Sequence, residues 1–264
     1  MREYKDSNRS VNGTSEALTS RLNKLYTAFD QAFRVRADEE REIDTQISRE
    51  VMEETGGLTR SPLTDRPETL ALLSYMFLEY SRVPAMLGVD VKKRGLKYQD
   101  RTLWDKTLVE HGLEYLNRSA RGNSVSVYHI KAAVSACHAL AKDYKSTDWK
   151  HILSLYDRYL EFNNSVEIAL ERARVISRFR GTHGEIKAIE EIMNSYTLDA
   201  KHELYEQLGN LHSRLHDYKA ALRCFEKASG KARSKTDKSN YRKKIEYCKM
   251  RLYYKKKYAL GLSF

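Results

Sequence analysis

The sequence predicts an all-α protein. A helical domain spans residues 15–121, and an α-solenoid of stacked helix pairs spans 122–264, closed by a basic capping helix. Three observations predict this. There are only three prolines, Pro62, Pro67 and Pro84, in 264 residues, about 1% against a usual ~5%. The 180 residues after Pro84 hold none, so nothing there interrupts consecutive helices. Glycine is also scarce, at 12 residues, which argues against a turn-dense β fold. Finally, apolar residues make up 41% and charged residues 31%, enough to bury a core, and the apolar ones recur at helical spacing.

Residues 1–14 are polar and predict a tail. From Ser15 onward, Leu18, Leu22, Leu25, Phe29 and Phe33 mark one helix face. A second helix is expected over 38–54, with Ile43, Ile47 and Val51 inward and Gly56-Gly57 as its stop. Asp65-Arg66-Pro67-Glu68 reads as a cap with proline in the first turn. The helix it opens carries Leu70, Leu73, Met76, Phe77 and Tyr80 and ends before Pro84. Residues 84–99 are irregular, and the alternation of Val89, Val91, Leu96 and Tyr98 suits a short hairpin. Asp100 caps a helix with Leu103, Trp104, Leu108, Tyr115 and Leu116. Ser124 caps the next, with Val127, Ile130, Val134, Cys137 and Ala141 inward. Thr147-Asp148 opens a helix with Ile152, Leu155, Tyr156 and Tyr159. Two more follow at 165–179 and 184–196, separated by Gly181 and Gly184. The total is about eleven.

The next segment carries a repeat signature. Tyr205-x2-Leu208-Gly209-x2-His212, then Ala221-x3-Phe225 and Ala228, matches the 34-residue tetratricopeptide helix–turn–helix. Gly209 and Ala221 let two helices approach closely, while Tyr205, Leu208 and Phe225 fill the space beside them. Tyr205 replaces the usual Trp, His212 the usual Tyr, and Arg233 stands where proline often ends the repeat. The last helix, 236–257, has Tyr241, Ile245, Cys248 and Leu252 inward and a polar outer face, as a terminal cap requires.

The net charge of +11 is concentrated. Residues 231–257 hold twelve Lys or Arg against Asp237 and Glu246, while the rest is close to neutral. The exposed members expected are Arg242, Lys243, Lys244, Lys249 and Lys256, with tyrosines 241, 247, 253, 254 and 258 among them. A solvated helix face is the preferred reading. An acidic protein partner and nucleic acid remain open, the latter not favoured. The polar start lacks a signal-peptide core. The longest apolar stretch, 70–78, is too short to span a bilayer. Three scattered cysteines suit reduced thiols. The expectation is a soluble cytoplasmic protein without a membrane role.

Candidate chemistry is sparse. His212 and His216 stand at i, i+4 with Cys224 eight residues on, yet structural zinc needs four ligands. A repeat-core role for His212 and a turn cap for His216 are preferred, and no metal is expected. Cys137 lies on an apolar stripe beside Val134, Leu140 and Ala141, the setting of a buried, inert thiol. No GxSxG, HExxH, phosphate-loop or dinucleotide fingerprint occurs. Neither catalysis nor a cofactor is expected. Gln99-Asp100-Arg101-x2-Trp104-Asp105 is the densest polar cluster. On spacing it reads as an N-cap with an Arg101–Asp105 pair, or else as a partner contact.

Several stretches resemble the C-terminal extension of a subfamily of bacterial extracytoplasmic-function sigma factors: residues 22–29 (LNKLYTAF), 62–73 (PLTDRPETLALL) and 98–105 (YQDRTLWD). Asp148-Trp149, Leu155-Tyr156-Asp157 and Asn163 resemble it too. Coverage is roughly 22–252, with the Gln-Asp-Arg-x2-Trp-Asp element most specific. The family usually has Asn-Glu-Gly after the aromatic at Phe29, where this chain has Asp30-Gln31-Ala32. The sigma regions that bind polymerase and read promoters normally precede this extension, and 21 residues do so here. The resemblance thus leads one to expect either a fragment or a stand-alone relative that does not read promoters by itself. The resemblance implies a helical domain followed by tetratricopeptide-like helices. It also implies transcription regulation through binding sigma regions, RNA polymerase core or a regulator. It puts the partner-contact reading of Gln99, Asp100, Arg101, Trp104 and Asp105 level with the capping one. The alternative is a stand-alone repeat scaffold with an unrelated cytosolic peptide partner.

Overall fold

The apolar stripes wind into helices throughout the computed structural model, which describes residues 2–33, 43–90, 93–122, 124–195 and 202–259. Among these residues there is no strand, and ten α-helices follow one another. They are α1 (Arg2–Phe33), α2 (Thr45–Leu58), α3 (Pro67–Tyr80), α4 (Lys106–Ser119), α5 (Val127–Leu140), α6 (Trp149–Phe162), α7 (Val166–Ser195), α8 (His202–Arg214), α9 (Tyr218–Lys231) and α10 (Lys235–Ala259). The chain divides into two compact units, Met1–Leu155 and Tyr156–Phe264. The division falls inside α6, later than the 121/122 boundary read from the sequence. The reason is that α5 packs against α3 and so belongs with the first unit.

In the first unit, Leu18, Leu22, Leu25, Phe29 and Phe33 of α1 are all buried as expected. The helix starts at Arg2, however, so the expected tail is helical. Residues 2–14 contain no proline, and a helix already nucleated by its apolar face propagates at little cost. Asp44 caps α2, its carboxylate accepting the Ile47 amide at 2.9 Å. The earlier start expected near residue 38 lies outside the described residues. Gly56-Gly57 does not stop α2, because Thr55 and Leu58 are buried on either side and hold the last turn inward. Ile47 is exposed, and Ser48 takes the inward position, its hydroxyl returned to the Asp44 carbonyl at 2.7 Å.

Helix α3 is the hub, packing against α1, α2, α4 and α5. Residues 69–76 are buried without a break, which is the signature of a helix with no solvent face. Its crossing with α4 is close: a Cβ on Gly112 would lie 2.6 Å from the Leu78 side chain. There the Ser74 hydroxyl donates to the Gly112 carbonyl at 2.7 Å. Three further boundaries differ from expectation. The hairpin over 84–99 is absent among the described residues (Val91 lies outside them). A 3-10 turn at Val83–Ala85 runs into successive turns there, and Arg94 Nε donates to the Val89 carbonyl at 2.9 Å. Helix α4 begins after Asp105 rather than Asp100. Helix α5 is capped by Ser126 with His129 rather than by Ser124. Ile130 is buried as expected, together with Tyr128, Ala132, Ser135 and Ala136, whereas Val127, Val134, Cys137 and Ala141 are only half-buried.

In the second unit α7 packs on α8, α8 on α9 and α9 on α10, the succession of an α-solenoid. The two helices expected before and after residue 181 are present as α7, broken at Gly181 (φ 63°, ψ −170°). The α8–α9 turn contains His216 in a left-handed conformation (φ 58°), and Asp217 caps α9 through the Ala220 amide at 3.0 Å.

Candidate functional site

The polar cluster over 99–105 is built from caps and a cation. Asp100 caps a 3-10 turn, Arg101–Leu103, accepting the Thr102 amide at 2.9 Å and its hydroxyl at 2.7 Å. Those bonds hold its carboxyl below the usual range. Asp105 caps α4 through the Leu108 amide at 3.1 Å, while its own amide donates to the Ser81 carbonyl at 2.8 Å.

Arg101 does not pair with Asp105. Its guanidinium reaches α5 instead, donating to the carbonyls of His138 at 2.5 Å and Ala141 at 3.1 Å and to the Thr147 hydroxyl at 2.9 Å. A cation on the last carbonyls of a helix satisfies orphan acceptors and opposes the negative end of the dipole. The spacing rule favoured the nearer acid. The fold chose carbonyls some 40 residues away because the α5 terminus offers two of them beside the Thr147 hydroxyl.

Trp104 is 5% exposed, with the Arg101 guanidinium 5.3 Å from its ring and that of Arg82 at 5.8 Å. Arg82 also lies 5.6 Å from the Phe33 ring. It is ion-paired with Glu79, which accepts the Ser135 hydroxyl at 2.7 Å. Gln99 completes the group, accepting from Arg82 at 3.2 Å and donating to the Arg94 carbonyl at 2.5 Å. His138 packs its ring edge on Trp149 at 5.2 Å. Burial pushes its pKa down to about 4, with Glu79 opposing and Arg101 and Arg82 adding to the effect. Gln99, Arg101, Trp104 and Asp105 therefore form one clamp joining α3, the 3-10 turn, α4 and the end of α5, while Asp100 caps only its own turn. Glu79, Arg82 and His138 were missed. The signal for the first two was a Glu–Arg pair at i, i+3 just where an apolar helix ends. At the rim Leu103 is 53% and Leu140 70% exposed.

The residues of the repeat signature lie on α8 and α9. Leu208, Gly209, Ala221, Phe225 and Ala228 are buried, with Tyr205 and His212 half-buried. A Cβ on Gly209 would lie 2.6 Å from the Phe225 ring. His212 lies 3.9 Å from Asp217, and His216 Nδ1 is 2.9 Å from the Tyr218 hydroxyl. On α10, Tyr241 and Cys248 are buried, whereas Arg242, Lys243, Lys249 and Lys256 are exposed. Lys244 departs from the expected basic surface. It is half-buried, donating to Glu206 at 2.5 Å and to Asn210 at 3.3 Å. Tyr241 donates to the same carboxylate at 3.1 Å, and burial with the Glu206 charge raises its pKa. Burial likewise pushes the Cys137 and Cys224 thiols up, away from nucleophilic character.

Fold and site together define an all-helical protein with a cation-clamped first unit and a solenoid-like second one. No helix among the described residues is long and apolar enough to cross a membrane. Residues 18–120 match the model of a family of unknown function (DUF6596). That segment holds α2, α3, α4 and the whole 99–105 cluster. The chain is also similar to an uncharacterized protein of Rhizobium meliloti (strain 1021), 25% identical over 181 residues, covering 67% of this chain and 42% of that protein. The chain thus spans less than half the length of that relative. No solved structure matches significantly.

Proposed function

We propose that this chain is a protein-interaction module of extracytoplasmic-function sigma-factor type, acting in cytoplasmic transcription by binding sigma regions or RNA polymerase. Its second unit serves as a tetratricopeptide-like array. The supporting observation is the convergence of the three resembling stretches on one core. Phe29 stacks on Phe33 at 5.5 Å, Phe33 meets Arg82, and Arg82 meets Trp104, while residues 70–73 are buried in the hub helix. Residues far apart in sequence that depend on one another this way make a family signature a unit of folding. The exposed Leu103 and Leu140 at its rim are the apolar contacts a protein partner would use.

Immobilised polymerase core and sigma regions test the reading. Full-length chain should be retained, and Leu103→Asp with Leu140→Asp should reduce retention about tenfold or more, as expected for central interface residues. Passage through both resins unretained would count decisively against it. The second reading is a repeat scaffold for an unrelated cytosolic protein or peptide. It rests on the close α8–α9 pair around Gly209 and Phe225, and it is the one left standing in that event.

A further inference from the structure

Beyond the interaction module, the second unit carries an unassigned cavity between α10 and the α8–α9 turn. It has a volume of about 270 Å³ and is lined by His216, Tyr218, Arg251, Tyr254, Lys255 and Tyr258. The α10 members stand at i, i+3, i+4 and i+7, one face of that helix. Arg251 lies 5.2 Å from the ring of the buried Tyr218, whose hydroxyl is 2.9 Å from His216 Nδ1. That imidazole is carried there by the left-handed turn at residue 216. Two full cations thus share a concave surface with three phenol rings. No acidic residue lines it among the described residues. Asp217, next in sequence, is turned away to cap α9 and to meet His212. Residues 247–258 carry Lys249, Arg251, Lys255, Lys256 and Lys257 and no acid.

From this geometry we infer that the cavity between α10 and the α8–α9 turn binds a nucleotide unit, with Arg251 and Lys255 on the phosphate and Tyr254 and Tyr258 against the base. The chemistry fits that class. Guanidinium and ammonium groups together hold phosphoryl oxygens, and an exposed tyrosine face stacks any base without reading its edge. The volume is below that of a drug-sized pocket and accommodates one unit rather than an extended cofactor. Tyr254 and Tyr258 are 39% and 70% exposed, so ring faces remain available.

The test uses the full chain titrated with AMP, a dT oligonucleotide, inorganic phosphate and a glutamate-rich peptide, with helicity checked for each variant. Saturable binding of AMP supports a free nucleotide as the source. Binding of the oligonucleotide alone supports a strand, with affinity falling by roughly 0.7 log units per log unit of salt for each phosphate held. Arg251→Gln with Lys255→Gln should lower affinity about tenfold or more, and Tyr254→Ala should lower it by a factor of about five or more. The control pair Arg242→Gln with Lys249→Gln, on the opposite face of α10, should change it by less than about twofold. Equal loss in both pairs would mean diffuse electrostatics and overturn the site. So would no binding of either nucleotide probe at millimolar concentration. An unaltered affinity in Tyr254→Ala, or a glutamate-rich peptide that binds as tightly as AMP, would overturn the nucleotide class.

Discussion

Arg101 shows how much one side chain can hold. Its three hydrogen bonds end on two carbonyls of the α5 terminus and the Thr147 hydroxyl, and it stacks beside a buried indole. Arg101→Met should destabilise the first unit by about 2–3 kcal/mol, because those acceptors lose charge-assisted bonds. Arg101→Lys should recover less than half of that, since an ammonium cannot reproduce the fork. Urea unfolding midpoints decide it, and full recovery by lysine would show that charge alone matters. His138 adds a pH dependence. Its folded pKa of about 4 lies below the ordinary 6.5, so its contribution is complete above about pH 6.5. It is lost as the pH falls from 6.5 towards 4, where the unfolded chain takes up a proton that the folded one excludes. The loss is roughly 2–3 kcal/mol. His138→Phe, which keeps the packing on Trp149, should flatten stability between pH 7 and 4.5. An unchanged pH profile would assign the acid sensitivity elsewhere.

At the scale of elements, Gly209 and Gly230 make a controlled comparison. A methyl at Gly209 would enter the Phe225 ring at 2.6 Å, whereas one at Gly230 meets nothing within 4 Å. Gly209→Ala should cost about 1–3 kcal/mol by prising α8 from α9. Gly230→Ala, inside α9, should be neutral or stabilising by up to about 1 kcal/mol. Thermal melting of the two variants separates these outcomes, and equal shifts would remove the close-approach argument. The same glycine explains what could be read in advance. The α8–α9 pair, α3 from Pro67 to Tyr80, and the inward face of α10 all rest on local spacing, and they were legible. The clamp was not, because Arg101 reaches 37 to 46 residues along the chain, and no pattern of neighbours encodes such a partner. Local capping rules misled for a related reason. Asp100 and Asp105 both satisfy them, and each in fact caps something, Asp100 a single 3-10 turn and Asp105 the helix itself.

For the whole molecule, the placement of charge matters more than its total. Arg242, Lys243, Lys249 and Lys256 are exposed on α10. Arg21, Arg118, Arg174 and Lys187 instead stand against Glu54, Glu114, Glu171 and Glu191. Neutralising the first four to Gln should advance elution from a cation exchanger more than neutralising the second four, although both variants have the same net charge. Identical retention would mean that the matrix senses only the total. Gly181 has a different kind of reach. Its ψ of −170° at φ 63° lies in a region essentially reserved for glycine, and on one side of it α7 runs back to Val166. Those fifteen residues form a lever of about 22 Å, at 1.5 Å per residue. A 20° change at the joint would swing the far end by roughly 8 Å on that same rise. A side chain at residue 181 would therefore re-aim a whole arm of the second unit while touching nothing.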